Sequence, residues 1–262
     1  MSEAVGVDVG GTKLAAARVD TGTGAVLEAR RMPTRPARGP VAVLADCIAL
    51  ADALGEGPRG LAVCELVDPA GRVRSAETVD WRGADLSAFD RVESDVRAAA
   101  LAESRFGAGR AEPDFLYVSV GTGISHCLIC DGAPRLGVRG SAIGTGAPLV
   151  EEWSGGLALA RRSGHASAEE ALADPACAEL VDDAARRLGL ALAALVNGLD
   201  PGAVVIGGGL GLHDGYRARV EDALRAAVYD PEARDLPVVP AALGADAPVI
   251  GAALAAAAPA HA

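Results

Sequence analysis

The chain has 262 residues, of which 50% are hydrophobic and 23% charged, so it is long enough for one large domain or two lobes with separate cores. Its net charge of -11 disfavours a nucleic-acid-binding surface, because phosphate backbones are held by clustered lysines and arginines. We find neither the order of a signal peptide nor a segment apolar enough for a membrane span, which indicates a cytoplasmic protein. Its 5 scattered cysteines predict reduced thiols rather than a disulfide framework.

The chain opens with a predicted hairpin. Alternating valines over residues 5–9 predict a buried strand, and residues 14–19 predict a second one, so residues 10–13 form the turn. The turn also has a second interpretation, in which its bare amides, its threonine and its lysine bind a phosphate while Asp8 lies near a metal ion. The motif alone does not decide between the two.

The rest of the first lobe alternates helical and extended segments. Residues 39–54 have apolar side chains at helical spacing, and residues 59–67 form an apolar run that predicts a strand. A further strand is predicted over residues 72–77, after a turn. An alanine-rich helix over residues 96–106 ends near Gly107, and the lobe boundary is placed there.

The second lobe, residues 108–262, repeats the opening pattern. A strand over residues 115–120, a turn at 121–123 and a strand over 124–130 again place glycine and threonine at a turn. Two such units suggest duplicated lobes that grip one nucleotide from both sides. The second of these strands contains Cys127 and Cys130, which point to opposite faces and are therefore not expected to share a metal.

The remaining segments are mostly helical. Helices are predicted over residues 149–164, 167–174 and 177–198. An apolar strand then runs into three glycines at residues 207–209, where a ring or a ribose can lie flat against the backbone. A short strand within residues 236–243 precedes an alanine-rich helix from about Ala247.

Four motifs together resemble the ROK family of sugar kinases and sugar-responsive regulators. They are residues 8–13, the Gly-Thr-Gly of residues 121–123, the Asp-Pro of residues 200–201 with the glycines of 207–209, and the closing segment 238–256. The order and spacing match over almost the whole chain. The resemblance implies an actin-like, ribonuclease H-like α/β fold with a mixed sheet in each of two lobes, and a last helix that packs on the first lobe. It also implies ATP and Mg²⁺ as cofactors, a small-molecule sugar as substrate, and a homodimer.

The resemblance assigns the nucleotide site to the glycine motifs. Phosphates are expected at Gly10, Gly11, Thr12, Lys13, Gly121, Thr122 and Gly123. The adenosine is expected at Gly207, Gly208 and Gly209, and Mg²⁺ near Asp8, through water or phosphate. The family's Glu-Asn-Asp signature matches Glu93-Ser94-Asp95, so Asp95 falls at the position of the general base. A carboxylate at a helix N-terminus has a stabilised charge and suits that role. A plain helix N-cap is the alternative.

The sequence departs from the family pattern at the sugar and zinc positions. The family's sugar-binding Asn is replaced by Ser94, and its Glu-x-Gly-His motif aligns so that the Glu falls at Gly144 and the His at Ala147. The cysteine-rich loop that follows in the family has no counterpart, so no zinc site is expected. Loss of a carboxylate that pairs with sugar hydroxyls changes which sugar is selected.

New polar groups on the expected sugar side point to a different substrate. Glu65 and Asp80 are the candidate partners of a substrate amino group, beside Ser94 and Asp95. Short ROK proteins without the zinc motif resemble kanosamine 6-kinases, so the predicted reaction is phosphorylation of the C6 hydroxyl of an amino-hexose such as kanosamine. A glucokinase, an N-acetylhexosamine kinase and a C7-cyclitol kinase are alternatives, and a non-catalytic sugar sensor is the alternative of another class.

Overall fold

The computed structural model describes residues 3–145 and 150–258 and divides into two units. The first unit comprises the described residues up to Gly107, the segment Ala133–Ile143, and the described residues from Asp246 onward. The second unit comprises Ala108–Gly132 and the described residues between Gly144 and Ala245. The first unit is therefore built from three separate stretches of chain.

Strands and α-helices are numbered in chain order. The strands are β1 (Glu3–Val9), β2 (Lys13–Asp20), β3 (Val26–Pro33), β4 (Arg59–Val63), β5 (Arg91–Ser94), β6 (Phe115–Val120), β7 (Ile124–Cys130), β8 (Ala133–Pro134), β9 (Val204–Gly207) and β10 (Val238–Pro240). The helices are α1 (Pro40–Asp52), α2 (Asp95–Phe106), α3 (Glu151–Ser154), α4 (Gly156–Ser163), α5 (Ala168–Ala173), α6 (Ala178–Leu199), α7 (Asp214–Ala227) and α8 (Ala247–Ala257).

The first unit contains a mixed sheet with the strand order β3-β2-β1-β4-β5. β1 pairs antiparallel with β2 and parallel with β4, and β4 pairs parallel with β5. The predicted buried strand is confirmed, since Val5, Val7 and Val9 are all in the core of this unit, and the residues between Ala4 and Val7 are buried without alternation. Helix α1 closes the same core with Val43 and Cys47, which are fully buried.

Helix α8 approaches this sheet unusually closely because glycines line the contact. A Cβ atom at Gly6 of β1 would lie 1.8 Å from the Val249 carbonyl oxygen, and one at Gly60 of β4 would lie 1.9 Å from the Ala252 carbonyl oxygen. On the other side, a Cβ atom at Gly251 would lie 1.7 Å from the carbonyl oxygen of Ala98 in α2. We call these three glycines the glycine seam. It brings α8 into backbone contact with β1, β4 and α2.

The second unit contains a second mixed sheet. β6 pairs antiparallel with β7 and parallel with β9, and β9 pairs parallel with β10. The long helix α6 buries a stripe that includes Val181, Leu188, Leu192 and Val196, at the spacing of one helix face. These side chains share a core with β6, β9 and α7.

The structure corrects several of the sequence-based elements. Strands β3 and β5 were not predicted, and residues 72–77 form no strand, although Val67 and Val73 make one isolated bridge. The helix predicted over 149–164 is, in its described part, two helices separated at Gly155. Within residues 3–145 and 150–258, none of the helices has both the length and the apolarity needed to cross a bilayer.

Candidate functional site

The carboxyl ends of three parallel strands gather polar residues at one edge of the first sheet. Val63 of β4 has Val9 of β1 and Ser94 of β5 as its neighbours in register. Asp95 follows Ser94 directly, and Asp8 precedes Val9 on β1. Both carboxylates are partly buried, and they influence each other electrostatically. This edge therefore brings together the predicted metal-binding residue and the predicted general base.

The two carboxylates have raised pKa values because they lie in a poorly solvated place. Burial, and then the charge of Asp95, raises the pKa of Asp8 to about 8. Burial also raises the pKa of Asp95, to about 6, although hydrogen bonds from the Val96 amide and the Cys64 thiol favour its charged form. A bound cation would stabilise the charged forms of two neighbouring carboxylates that otherwise resist ionisation. Carboxylate oxygens are also ligands that Mg²⁺ prefers. These residues therefore fit a Mg²⁺ ion.

A buried arginine holds the start of α2, where Asp95 is the first residue. Arg97, with only 1% of its surface exposed, donates from Nε to Glu93 Oε1 at 2.6 Å. Its other nitrogens donate to the carbonyl oxygens of Val67, at 2.6 Å, and Gly140, at 2.9 Å. The guanidinium thus fixes the helix N-terminus to two loops of the same unit. Glu93, which matches the glutamate of the family's Glu-Asn-Asp signature, therefore anchors the Arg97 guanidinium.

The first predicted phosphate turn, between β1 and β2, is braced from the end of β3. The Gly10 amide donates to the Lys13 carbonyl at 3.0 Å, which closes the hairpin. Thr34 Oγ1 donates to the Gly10 carbonyl at 2.6 Å, and the Thr34 amide donates to the Thr12 carbonyl at 3.1 Å. A Cβ atom at Gly11 would meet no atom within 4 Å, so the turn is open to a ligand. Sequence analysis did not identify Thr34.

The second predicted phosphate turn connects β6 and β7 in the second unit. The Gly121 amide donates to the Gly123 carbonyl at 3.0 Å. The first amides of α4 donate to the turn as well, Gly156 to the Gly121 carbonyl at 2.8 Å and Leu157 to the Thr122 carbonyl at 3.1 Å. The turn is therefore held in shape by α4.

A glutamate that sequence analysis missed lies against this second turn. Glu151, the first residue of α3, accepts a hydrogen bond from the Ile124 amide at 2.8 Å. A Cβ atom at Gly123 would lie 2.6 Å from the same carboxylate oxygen, so a side chain at this position would displace the Glu151 carboxylate. The turn motif gives no sign of Glu151, because the contact joins residues 27 apart in sequence.

The predicted adenosine segment follows β9. Gly208 has a φ of +80°, and a Cβ atom there would lie 2.4 Å from the Val120 carbonyl oxygen at the end of β6. A side chain is therefore excluded twice, by conformation and by space. A Cβ atom at Gly209 would meet nothing within 4 Å. The segment thus offers bare backbone at Gly209, and its contact with adenosine stays a prediction.

Glu65 lies in a different environment from the one expected for a substrate partner. Its side chain is 1% exposed, and it accepts hydrogen bonds from the amides of Thr78, at 3.0 Å, and Val79, at 2.8 Å. Its second oxygen accepts from the indole nitrogen of Trp81 at 3.1 Å. Three internal donors occupy the carboxylate, so in this structure it anchors the loop 78–81 instead of facing a ligand.

Asp80 and Ser94, which were also predicted to contact substrate, lie in contrasting environments. Asp80 is exposed and forms a two-point ion pair with Arg82, whose hydrogen bonds lower the pKa of Asp80 to about 2. Ser94 is fully buried, and its Oγ has no hydrogen-bond partner among the described residues. An unpaired buried hydroxyl is costly, which makes Ser94 the site residue with unused bonding capacity.

Gly144, at the position of the glutamate of the family's Glu-x-Gly-His motif, lies in the second unit. Gly144 is exposed and forms an isolated bridge with Ser125. Beside it, His126 Nδ1 is 2.9 Å from Thr145 Oγ1, and burial lowers the pKa of His126. Ala147, the expected position of the zinc-binding histidine, is outside the described residues.

The chain is similar to known proteins over most of its length. The model of the ROK family matches residues 4–155 and 150–258. The bifunctional enzyme NanE/NanK of Brucella suis is 34% identical over an alignment that covers 94% of this chain and 51% of that protein. The chain thus spans about half the length of this curated relative.

Two solved structures are similar over nearly their whole length. The ROK hexokinase of Thermus thermophilus has a TM-score of 0.80 and 30% identity, with 97% of each chain covered. A ROK family glucokinase from Streptomyces griseus, solved with glucose and AMPPNP, has a TM-score of 0.81 and 25% identity, with 96% of this chain and 98% of that chain covered. The two mixed sheets and these neighbours confirm the actin-like ATPase fold. The chain therefore belongs to the ROK family.

Proposed function

We propose that the protein is an ATP- and Mg²⁺-dependent kinase that transfers the γ-phosphate to the C6 hydroxyl of a hexose. The observation that carries this proposal is Asp95, a partly buried carboxylate beside Asp8 at the start of α2. With a pKa of about 6, Asp95 is mostly ionised at neutral pH and only weakly solvated. A carboxylate in that state can accept a proton from a sugar hydroxyl.

Each remaining group has a positioning or charge-balancing role. Arg97 keeps the α2 N-terminus, and with it Asp95, in a fixed orientation. Thr34 fixes the first glycine turn, whose Thr12 and Lys13 are proposed to bind phosphate. Mg²⁺, held by Asp8 through water or phosphate, would neutralise negative charge on the transferred group. Alignment and charge neutralisation supply most of the rate in phosphoryl transfer.

The sugar is proposed as a hexose, with an amino-hexose such as kanosamine as the finer hypothesis. Support for the amino group is weaker in the structure than in the sequence, because Glu65 and Asp80 already have partners. Glucose, N-acetylhexosamines and C7 cyclitols remain alternatives. A homodimer stays a prediction from the family resemblance.

A non-catalytic sugar sensor is the second candidate function. Two observations favour it: glycine occupies position 144, where the family has its sugar-binding glutamate, and Ser94 is fully buried at the position of the sugar-binding asparagine. Such a protein would bind sugar or nucleotide without turnover.

The decisive experiment is substitution of the proposed base. Asp95→Asn should lower kcat by about 10²- to 10⁴-fold, the usual contribution of general acid–base catalysis, while ADP binding measured by calorimetry stays nearly unchanged. Asp230→Asn is the matched control, because this exposed aspartate accepts a backbone amide in the second unit and should keep full activity.

The assay is ADP release with ATP and Mg²⁺ across kanosamine, glucosamine, glucose, N-acetylmannosamine, fructose and a C7 cyclitol. Turnover of any of these sugars that falls by about 10²- to 10⁴-fold in Asp95→Asn supports the kinase. Equal or better turnover of glucose than of kanosamine removes the amino-hexose hypothesis alone. Nucleotide binding without turnover of any sugar favours the sensor.

A further inference from the structure

We propose that His165, Asp174 and Cys177 in the second unit bind one Zn²⁺ ion. Their ligand atoms, a ring nitrogen, a carboxylate oxygen and a sulfur, all lie within 4.8 Å of one another. Imidazole, carboxylate and thiolate are the three ligand types of protein zinc sites. This cluster is separate in sequence from the position of the family's zinc histidine, Ala147, and from the glycine turns of the proposed nucleotide site.

Local structure places each ligand independently of a metal. Asp174 ends α5 and caps the short 3-10 turn Pro175–Cys177, with its Oδ1 accepting the Ala176 amide at 2.9 Å. That bond fixes the carboxylate and leaves Oδ2 to face the other two groups. Cys177 is the last residue of the same turn, directly before α6, and is 8% exposed. His165 comes from the loop between α4 and α5.

The separations suit a tetrahedral ion. His165 Nε2 is 3.0 Å from Asp174 Oδ2, and Cys177 Sγ is 3.8 Å from the same oxygen. Zinc bonds of about 2.0 Å to nitrogen and oxygen and about 2.3 Å to sulfur give tetrahedral edges of roughly 3.3 to 3.7 Å. These two separations therefore lie within a few tenths of an ångström of tetrahedral edges. In the third pair, His165 and Cys177, the ligand atoms lie within 4.8 Å of each other. Three protein ligands leave the fourth position to water, which can reach the partly exposed His165 and Asp174.

A second carboxylate lies on the far side of the histidine ring. Glu170 Oε2 is 3.8 Å from His165 Nδ1 and is itself held by the Ala166 amide at 3.1 Å. Metal-binding histidines usually direct their other ring nitrogen at a carboxylate or carbonyl, which fixes the tautomer. When Nε2 binds zinc, the remaining ring proton is on Nδ1 and faces Glu170. The ion would displace the thiol proton of Cys177 to solvent.

The site would join two parts of the second unit that are otherwise linked by short turns. Zinc would tie the loop after α4 to the start of α6, whose apolar face forms much of that unit's core. The expected role is stabilisation of the folded unit, and it does not depend on the proposed kinase activity.

The test uses tag-free full-length protein stripped with a chelator and titrated with Zn²⁺ or Co²⁺. We expect one ion per chain, a thiolate-to-cobalt charge-transfer band, and a melting temperature that rises with Zn²⁺. Cys177→Ser should remove the band and weaken Zn²⁺ binding at least 100-fold. Glu170→Gln, which keeps all three ligands, should weaken binding by about 10- to 100-fold.

Two further variants separate metal binding from folding. Cys130→Ser changes another free cysteine, in β7, and should keep the cobalt band and the stoichiometry. His165→Gln changes a partly exposed loop residue, so it should fold normally and still lose the zinc-dependent rise in melting temperature. The proposal is overturned if stripped wild-type protein gives no cobalt band, or if the band survives in Cys177→Ser.

Discussion

Asp95 has neighbours that push its pKa in opposite directions. Burial, together with the charge of Glu65, raises the pKa, while hydrogen bonds from the Val96 amide and the Cys64 thiol lower it. Cys64 follows β4 in the chain, and Asp95 shares the single S–H proton of Cys64 with the Val9 carbonyl oxygen, which accepts from Sγ at 3.2 Å. The thiol is therefore a donor at the edge of the sheet that helps set the proton affinity of the proposed base.

Removing the Cys64 thiol should shift the dependence of kcat/KM on pH. The proposed reaction needs Asp95 ionised, so kcat/KM should rise with pH through the pKa of Asp95, about 6. Cys64→Ala loses the hydrogen bond that favours the charged form, so this acidic limb should move to higher pH. Cys64→Ser keeps an O–H donor and should move it less. Profiles that coincide for the wild type and both variants would show that the thiol does not affect Asp95.

Sequence motifs singled out candidate site residues but did not describe their surroundings. The glycine turns and Asp95 stand out because a turn or a helix start constrains residue type locally. Thr34 did not stand out, because it contacts Gly10 from 24 residues away. Glu65 could not be told from a ligand-facing residue, because its three donors come from a loop 13 to 16 residues later. Pairing across such distances leaves no local pattern.

Among the elements, the contact of α8 with the first sheet is the least tolerant of added volume. The glycine seam puts helix backbone against strand and helix backbone, without side chains between them. Ala62, Ala98 and Ala252 form a small buried cluster beside it. Packing of this kind depends on glycine for space, because any side chain would force the elements apart.

Gly251→Ala should therefore destabilise the protein. Its new Cβ would lie 1.7 Å from the Ala98 carbonyl oxygen, and we expect a loss of at least about 1 to 3 kcal/mol. The matched control is Gly198→Ala in α6, where a Cβ would meet nothing within 4 Å and helix propensity favours alanine by up to about 1 kcal/mol. Urea denaturation of both variants checks this, and an unchanged midpoint for Gly251→Ala would contradict it.

The elements that the sequence missed are those with weak apolar patterning. β3 is an edge strand that is exposed along most of its length. It therefore carries charged side chains and lacks the apolar pattern that predicts a strand. β5 has only 4 residues, and two of its three buried residues are Glu93 and Ser94. Residues 72–77 show the opposite error, a strand that was predicted but does not form. Only Val73 of this segment makes a bridge to another segment. Long periodic segments such as α6 were predicted well because one face is continuously buried.

For the whole molecule, the buried carboxylates give stability a particular pH dependence. The pKa of Asp8 rises from 3.8 to about 8 on folding, so the folded state holds this proton more tightly than the unfolded state. Without Mg²⁺, stability should therefore fall as the pH rises from about 4 to 8. Each unit of pKa difference corresponds to about 1.4 kcal/mol.

Asp8→Asn removes this titration. In a chelator, its melting temperature should exceed that of the wild type at pH 8, and the difference should shrink toward pH 4. Asp222→Asn, at an exposed position of α7, is the control and should follow the wild type at every pH. Mg²⁺ should raise the melting temperature of the wild type more than that of Asp8→Asn. A variant that is less stable than the wild type at pH 8 would contradict the prediction.

The glycine seam also has a consequence for the order of events on the ribosome. Strands β1 and β4 and helix α2 are synthesised early, but α8, which covers them, emerges only after the whole second unit has been made. Until α8 is synthesised, one face of the first unit's sheet is uncovered. By that time, all residues of the second unit have already been synthesised. Domains usually fold from the N-terminus during translation, so this protein should reverse that order.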